Sequence, residues 1–211
     1  GSGDAEFESP SGVYVDSADR IYVADTGNHR VQVLDEFGSL IRMFGWGVET
    51  GAAQFEICNS GCQAGTPGNA SGRFSSPEAV VVDESNGEIY VADTGNNKIQ
   101  VFDSTGAITR EFGTLGSAPG QFSSPKGLAV MNDGTTKVFV SDTGNHRLQK
   151  LDSVGSSLDL VGEFGSDFGQ LSSPEQISVG PDGYLHVADT GNNRYRKYDT
   201  NLNPVLQNGV G

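Results

Sequence analysis

The sequence predicts an all-β fold made of four copies of one structural unit. A thirteen-residue stretch occurs four times, and its aspartates are 68, 49 and 47 residues apart. Apolar residues make up 35% of the chain and glycine fills 30 positions, which favours short strands with many turns over long apolar helices. A repeat period in the forties with strand-like content is typical of propeller blades. The copies are VADTGNHRVQVLD (Val23–Asp35), VADTGNNKIQVFD (Val91–Asp103), VSDTGNHRLQKLD (Val140–Asp152) and VADTGNNRYRKYD (Val187–Asp199).

Each unit is predicted to form four antiparallel strands. In the second unit, the runs AVVVDES, IYVADTG, KIQVFDSTG and AITREFG are rich in β-branched or aromatic residues, and Gly, Asn or Asp turns separate them. The first run of each unit is nearly continuous in apolar residues, which predicts an innermost strand buried on both faces. The third run alternates polar and apolar residues, which predicts a more exposed strand.

The repeated string, which in the first unit runs from SPSGVYVD through IYVADTGNHRVQVLD to FG, resembles the NHL repeat. The resemblance covers nearly the whole chain from Phe7 and implies a β-propeller with four-stranded blades. The family's usual propeller has six blades, so we expect a closed ring of four, part of a larger propeller, or a ring completed by association. The predicted single domain is 1–211, with blades near 7–45, 74–113, 122–165 and 171–211 and an inserted inter-blade loop at 46–73.

The DTGN turns join the second and third strands of each blade. Their glycines, Gly27, Gly95, Gly144 and Gly191, are expected to supply a positive φ, and the nearby Arg or Lys to pair with the motif carboxylates. The residue after TGN differs between copies, and variable positions on a common face are where repeat proteins bind ligands. Two of these residues are histidines. They are interpreted either as ligands of a metal ion or as ordinary residues of the turn. The candidate binding face therefore consists of His29, Asn97, His146, Asn193 and the single tryptophan, Trp46.

A second variable position follows the proline that opens each innermost strand. In a propeller this position lies at the rim of the central channel, where a mixed set of side chains binds a polar ligand or is simply solvated. The rim residues are Ser11, Glu78, Lys126 and Glu175.

The inserted loop at 46–73 contains Trp46 and both cysteines. Cys58 and Cys62 enclose NSG, a spacing that suits a small disulfide loop. A metal pair would need further ligands that no nearby histidine supplies, and a redox pair would usually have two intervening residues. The predicted disulfide favours an extracellular or cell-envelope location. The opening GSGDAEF has no signal-peptide pattern, and its GS is interpreted as residues left from cloning.

Charge limits the partners that we expect. Thirteen Lys plus Arg against 27 Asp plus Glu give a net charge of −14, which opposes binding to nucleic acid and to anionic membranes. No stretch approaches the length of a membrane span, so no membrane insertion is predicted. The expected partner is a protein or carbohydrate, with self-association if four blades do not close.

Two functions follow from these observations. The first is a non-enzymatic binding or scaffold module that uses the DTGN and inter-blade-loop face, with no catalytic residue, cofactor or metal ligand assigned. The alternative is a metal-dependent lyase-like or hydrolase-like enzyme, because the family resemblance includes propeller lyases with a site at the central channel. In that alternative His29, His146 and His186 would supply the chemistry. His186 stands where the other copies have Tyr or Phe, which favours a packing role for it.

Overall fold

The computed structural model describes residues 1–209, and the fold is all-β as predicted. Four antiparallel sheets follow one another along the chain, and each is one blade of a β-propeller fold. Consecutive strands pair within every sheet, because tight turns connect them. The last two residues of the predicted fourth blade, 210 and 211, lie outside the described residues. Ring closure stays a prediction.

The chain divides into two compact units, and the single domain stays a prediction. The first unit is Gly1–Glu111 and contains blades 1 and 2 except for Phe112, the last residue of β9. Blade 1 comprises β1 (Gly12–Val15), β2 (Ile21–Asp25), β3 (Arg30–Leu34), β4 (Leu40–Trp46) and β5 (Phe55–Cys58). Blade 2 comprises β6 (Pro77–Asp83), β7 (Glu88–Asp93), β8 (Lys98–Phe102) and β9 (Ile108–Phe112).

The second unit begins at Phe112 and contains blades 3 and 4. In both units a 3₁₀ turn of three residues, TGN, connects the second and third strands of each blade. None of the helices in the described part of the chain is long and apolar enough to cross a bilayer. Blade 3 comprises β10 (Pro125–Asn132), β11 (Thr136–Asp142), β12 (Arg147–Asp152) and β13 (Ser157–Val161). Blade 4 comprises β14 (Pro174–Val179), β15 (Leu185–Asp189), β16 (Arg194–Tyr198) and β17 (Pro204–Gly209).

The insertion at 46–73, predicted as a loop, contains the fifth strand of blade 1. Strand β5 pairs antiparallel with β4, and Trp46 lies opposite Phe55. Phe55 and Ile57 are apolar residues two positions apart, the period that a strand with one buried face requires. Both pack against the core of the first unit.

Each unit has its own apolar core between its two blades. In the first unit Tyr22, Val33 and Phe44 of blade 1 pack with Phe74 and Phe102 of blade 2, and the ring centroids of Phe44 and Phe102 are 4.7 Å apart. In the second unit the corresponding cluster combines residues of blade 3 with residues of blade 4: Ala129, Phe139, Leu148, Leu171, Ile177, Leu185, Val187, Tyr198 and Leu202. Blade faces therefore supply the buried surface, as in other stacked repeats.

The prediction that the third strand of a blade is more exposed than the first is wrong for blade 1. The third strands β3 and β8 are buried along their whole length, while Val13 and Val15 on the innermost strand β1 are exposed. Arg30, Gln32 and Gln100 on these strands are buried because they hydrogen-bond to buried motif aspartates. A division of the sequence into polar and apolar residues does not reveal this interaction.

Candidate functional site

The motif aspartate of blade 1 is the centre of a buried hydrogen-bond network. Asp25 has no exposed surface. Its Oδ1 accepts the amide N–H of Glu8 at 2.8 Å. Its Oδ2 accepts bonds from Asn28 Nδ2 at 2.9 Å, Arg30 Nε at 2.8 Å and Gln32 Nε2 at 3.0 Å. A buried carboxylate with this many charge-assisted bonds is stable in the interior and holds the turn in place.

The guanidinium group of Arg30 extends the network to the loop that precedes the blade. Arg30 is fully buried, and its Nη2 donates to the carbonyls of Gly3 and Glu6 at 2.9 and 2.8 Å. Its Nη1 donates to Ser2 at 2.7 Å and to Gln63 of the insertion at 2.9 Å. In blades 3 and 4 the same network recurs around Asp142 with Arg147 and around Asp189 with Arg194.

Gly1 and Ser2, interpreted from the sequence as cloning residues, form the same loop that precedes the other blades. The nitrogen of Gly1 donates to Phe7 O at 2.9 Å, as Gly68 donates to Phe74 O at 3.1 Å. The carbonyl of Gly1 accepts a bond from Asn28 at 2.8 Å, as the carbonyl of Gly68 does from Asn96. Gly1 therefore makes the same two contacts with blade 1 that Gly68 makes with blade 2.

The glycines of the DTGN turns do not supply a positive φ, contrary to the sequence prediction. The residue after TGN has this conformation instead, with φ of 52° at His29 and 55° at His146. Glycine is required for a different reason: a Cβ at Gly27 would lie 2.7 Å from Glu8 O, and one at Gly95 would lie 2.6 Å from Ser75 O. The preceding loop packs directly on the turn, so there is no room for a side chain.

The two candidate histidines connect neighbouring blades. His29 Nδ1 accepts the amide N–H of Ser76 at 3.0 Å, and His146 Nδ1 accepts that of Ser173 at 3.0 Å. Burial lowers the pKa of His29, which favours the neutral ring that this bond requires. Asn97 and Asn193 adopt the same left-handed conformation, with φ of 56° and 49°. The variable position is therefore part of the scaffold in the two blades that carry histidine.

Blade 2 departs from the motif because Lys98 replaces arginine. The Asp93 carboxylate keeps its bonds from Asn96 and Gln100, each at 2.7 Å. Lys98 Nζ bonds instead to Glu111 at 2.9 Å and to Asn69 O at 3.0 Å. Burial raises the pKa of Asp93 to about 6. This carboxyl group is buried without the guanidinium bond that the other three motif aspartates receive.

The inserted segment is folded onto the DTGN turn of blade 1. Cys58 and Cys62 form the predicted disulfide, with Cα atoms 5.8 Å apart, and pack against Met43 and Val48. The amide of Gly65 donates to Asn28 O at 2.8 Å, so the segment continues over the turn itself. We call the turn of blade 1 together with residues 46–73 the loop-bearing face.

Two carboxylates fix the insertion in place. Asp4 accepts the amide N–H groups of Gly61 and Cys62 at 2.7 and 2.8 Å. Burial alone would raise the pKa of Glu56, but hydrogen bonds from Thr50 and its neighbours lower it to about 2. Glu56 is thus ionised over the physiological range and keeps the turn before β5 ordered.

Trp46 lies on the loop-bearing face beside Arg73. The guanidinium carbon of Arg73 is 5.4 Å from the centroid of the Trp46 ring, a cation–π distance. Both side chains are half-buried, and Arg73 Nε also donates to Thr66 O at 3.2 Å. The two side chains therefore form one contiguous pair on this face.

The predicted rim residues belong to both units. In the second unit Lys126 Nζ lies 3.1 Å from Glu175 Oε1, and both side chains are partly exposed. In the first unit Ser11 accepts a hydrogen bond from the hydroxyl of Thr26 at 3.0 Å, and Glu78 is half-buried. The structure therefore pairs Lys126 with Glu175 and shows Ser11 in contact with its own motif turn.

His186 belongs to a polar cluster on blade 4. Its Nδ1 is 2.7 Å from the Tyr195 hydroxyl, and its Nε2 is 3.0 Å from Asp182. Lys197 Nζ lies 2.7 Å from the other oxygen of Asp182, and the bonds from Lys197 and His186 hold the pKa of Asp182 below its usual range. Among the described residues, no group of three or more His, Cys, Asp and Glu is arranged to hold a metal ion.

The family model for the NHL repeat matches residues 7–34, 74–102 and 122–151, which cover the DTGN network in three blades. This chain is an NHL-repeat protein. Its fourth blade repeats the Asp, Asn and Arg network outside those matched segments. The repeats are similar to those of protein brain tumor from Drosophila melanogaster, at 30% identity over 132 residues. They are also similar to NHL repeat-containing protein 3 from Homo sapiens, at 28% identity.

These curated relatives are longer than the matched region. The match covers 62% of this chain and 10% of brain tumor, and 54% of this chain and 41% of the human protein. Among solved structures, a streptogramin B lyase has a TM-score of 0.63 at 16% identity, covering 95% of this chain and 54% of that one. An inactive virginiamycin B lyase from Staphylococcus aureus with quinupristin has 0.62 at 14%, covering 99% and 56%. At such identities the likeness shows the propeller fold alone.

Several residues that organise the NHL repeats were missed by the sequence analysis. Gln32, Gln100 and Gln149 are each fully buried and each donate to a motif aspartate. Their signal was available, because glutamine stands seven residues after the aspartate in three copies. Asp4 carried no such signal, since its role depends on an insertion that only one blade contains.

Proposed function

We propose that this NHL-repeat protein is a non-enzymatic binding module of the cell exterior or cell envelope. Its ligand is a protein or carbohydrate, and the loop-bearing face of blade 1 contacts it. The single observation that carries the proposal is the elaboration of this face. Among the residues that the structure describes, blade 1 has five strands and a disulfide loop, whereas each other blade has four strands.

The chemistry of the loop-bearing face supports a contact role. The repeated Asp, Asn and Arg side chains are used inside the blades, whereas Asn59, Ser60 and Gln63 at the disulfide loop are exposed. Trp46 and Arg73 are of the residue types that most often dominate binding energy at interfaces. Because the disulfide and the Asp4 bonds hold the loop in one conformation, little ordering entropy is lost on binding.

The disulfide also supports the proposed location. Cys58 and Cys62 are 1% and 6% exposed, and such bonds persist mainly in oxidising compartments. The net charge of −14 favours a cationic or neutral partner over nucleic acid.

The test is a binding screen of the intact chain against arrays of glycans and of extracellular proteins. Each ligand found is then measured with Arg73→Ala, which removes the cation beside Trp46, and with Ser60→Arg at the loop tip. Phe37→Ser is the matched control, because Phe37 is 84% exposed in the β3–β4 hairpin, at the other end of β3 from the motif turn. At least a tenfold loss in both test variants and none in the control supports the proposal. Ligands that bind all variants equally would exclude this face.

The alternative function is a metal-dependent lyase-like or hydrolase-like enzyme. The fold likeness to two lyases and the cluster of His186, Tyr195 and Asp182 favour it. His29 and His146 are less suited, because each ring already accepts a backbone N–H through Nδ1. Stoichiometric zinc, calcium or manganese in the purified protein, lost with His186→Phe, would support the enzyme over the binding module.

A further inference from the structure

The outer strand of blade 1 shows how an apolar edge is covered in this fold. Met43 on β4 lies opposite Gln32 and has no exposed surface, because the disulfide packs against it. Strand β5 pairs with the free edge of β4. The insertion therefore covers both the apolar side chain and the unpaired backbone of this strand.

The outer strand of blade 2 does not require such a cover. Glu111 precedes a Phe-Gly pair, as Met43 does in blade 1. Its side chain is exposed, and its Oε2 lies 2.9 Å from Lys98 Nζ. Thr109, two residues earlier, is also exposed. Polar side chains at these positions are compatible with water.

The outer strand of blade 3 is apolar but uncovered. Leu160 lies opposite Gln149, so it corresponds to Met43, yet it is 38% exposed. Leu158 is 53% exposed. Strand β13 ends the strand order of its sheet. The amide of Leu160 donates to the Asp159 carboxylate at 2.8 Å, so this N–H is directed to an exposed side chain rather than to β12. An edge strand with exposed leucines and such an amide is a template for a further strand.

Charge distinguishes the two kinds of strand that could pair with β13, a second copy of this chain and a basic peptide. Asp159 and Glu163 are exposed beside this edge, and the chain carries a net charge of −14. Antiparallel pairing of two copies through β13 would bring their Asp159 side chains close together, and like charges in such pairs are destabilising. A basic strand would instead place its cations beside Asp159 and Glu163.

We propose that β13 of blade 3 binds an extended basic peptide of a partner protein, which adds to the sheet as a fifth strand. Its main chain pairs with the edge of β13, and an apolar side chain of the peptide covers Leu160, while Leu158 lies at the register shift between Ser157 and Asp159. The peptide displaces the Asp159 carboxylate from the Leu160 amide. Blade 3 then has the five-stranded form that blade 1 achieves with its own insertion. The proposal does not depend on the ligand of the loop-bearing face.

The experiment uses the whole chain and a synthetic seven-residue peptide with alternating lysine and isoleucine. Its control has proline at each isoleucine, which keeps the charge but removes donors needed for pairing. Binding is measured by fluorescence anisotropy, and amide hydrogen exchange locates the protected strand. The test variant combines Leu158→Thr with Leu160→Glu, which copies Thr109 and Glu111 of blade 2. Phe37→Ser is the control for loss of an exposed apolar side chain.

We expect protection of the amides of Leu158–Val161, at least tenfold weaker binding by the double variant, and unchanged binding by Phe37→Ser. Three results would overturn the proposal. The first is the absence of protection at β13 in the wild-type chain with saturating peptide. The second is equal binding of the proline peptide, which would mean attraction by charge alone. The third is a concentration-dependent dimer of the free chain that the double variant abolishes, which would assign this edge to a second copy.

Discussion

Replacing Lys98 with arginine tests whether the missing guanidinium group determines the titration of Asp93. Burial raises the pKa of Asp93 from 3.8 to about 6. The native state therefore holds the proton more tightly than the unfolded chain does. The proton on Asp93 therefore stabilises the native state. This stabilisation is complete below pH 3.8 and is lost as the pH rises through about 6. At about 1.4 kcal/mol per pKa unit, the loss amounts to about 3 kcal/mol.

Lys98→Arg is expected to reverse part of this loss. In blades 1, 3 and 4 the arginine Nε lies 2.6 to 2.8 Å from the motif carboxylate. The same bond in blade 2 stabilises the ionised form of Asp93, so its pKa falls. We expect the unfolding free energy to rise by about 1 to 3 kcal/mol at pH 8 and to change little at pH 4. The Glu111 pair that is lost is partly exposed and contributes at most about 1 kcal/mol.

The assay is urea unfolding of both proteins at pH 4 and pH 8, with the pKa of the Asp93 carboxyl measured by carbon NMR. Asp93→Asn is the control, since it removes the titrating group and with it this part of the pH dependence. An equal gain at both pH values, or an unchanged pKa of Asp93 in Lys98→Arg, would refute the reasoning.

Three other changes test the structure. Gly144→Ala should cost about 1 to 3 kcal/mol in thermal unfolding, because the new Cβ would lie 2.9 Å from Ser123 O; an unchanged midpoint contradicts the close packing. His146→Asn should be tolerated, as asparagine fills this left-handed position in two blades, whereas His146→Val should lose about 2 kcal/mol or more; equal stabilities would argue against the conformational requirement. Replacing both Cys58 and Cys62 with serine should cost about 2 kcal/mol and speed amide exchange in the insertion, and unaltered exchange would show that the disulfide does not hold the loop.

The sequence was sufficient for the repeat architecture because each blade repeats local chemistry. Strand periodicity, turn residues and four copies of DTGN predicted four antiparallel sheets, and the short spacing of Cys58 and Cys62 predicted their disulfide. The same evidence failed at 46–73, where a strand was missed. Only Phe55 and Ile57 signal that strand by alternation, and its pairing partner β4 lies earlier in the chain.

What the sequence by itself determined is the set of strands and the turns between them, since strand periodicity and turn preferences act over a few residues. Tertiary structure decided which polar residues are buried. Arg30 and Gln32 look like the polar face of an exposed strand, yet both are fully buried because Asp25 and the carbonyls of the preceding loop satisfy their hydrogen bonds. It also decided that His29 connects two blades, a role that requires the amide of Ser76, 47 residues away. Burial and hydrogen bonding depend on such distant partners, which local sequence patterns do not specify.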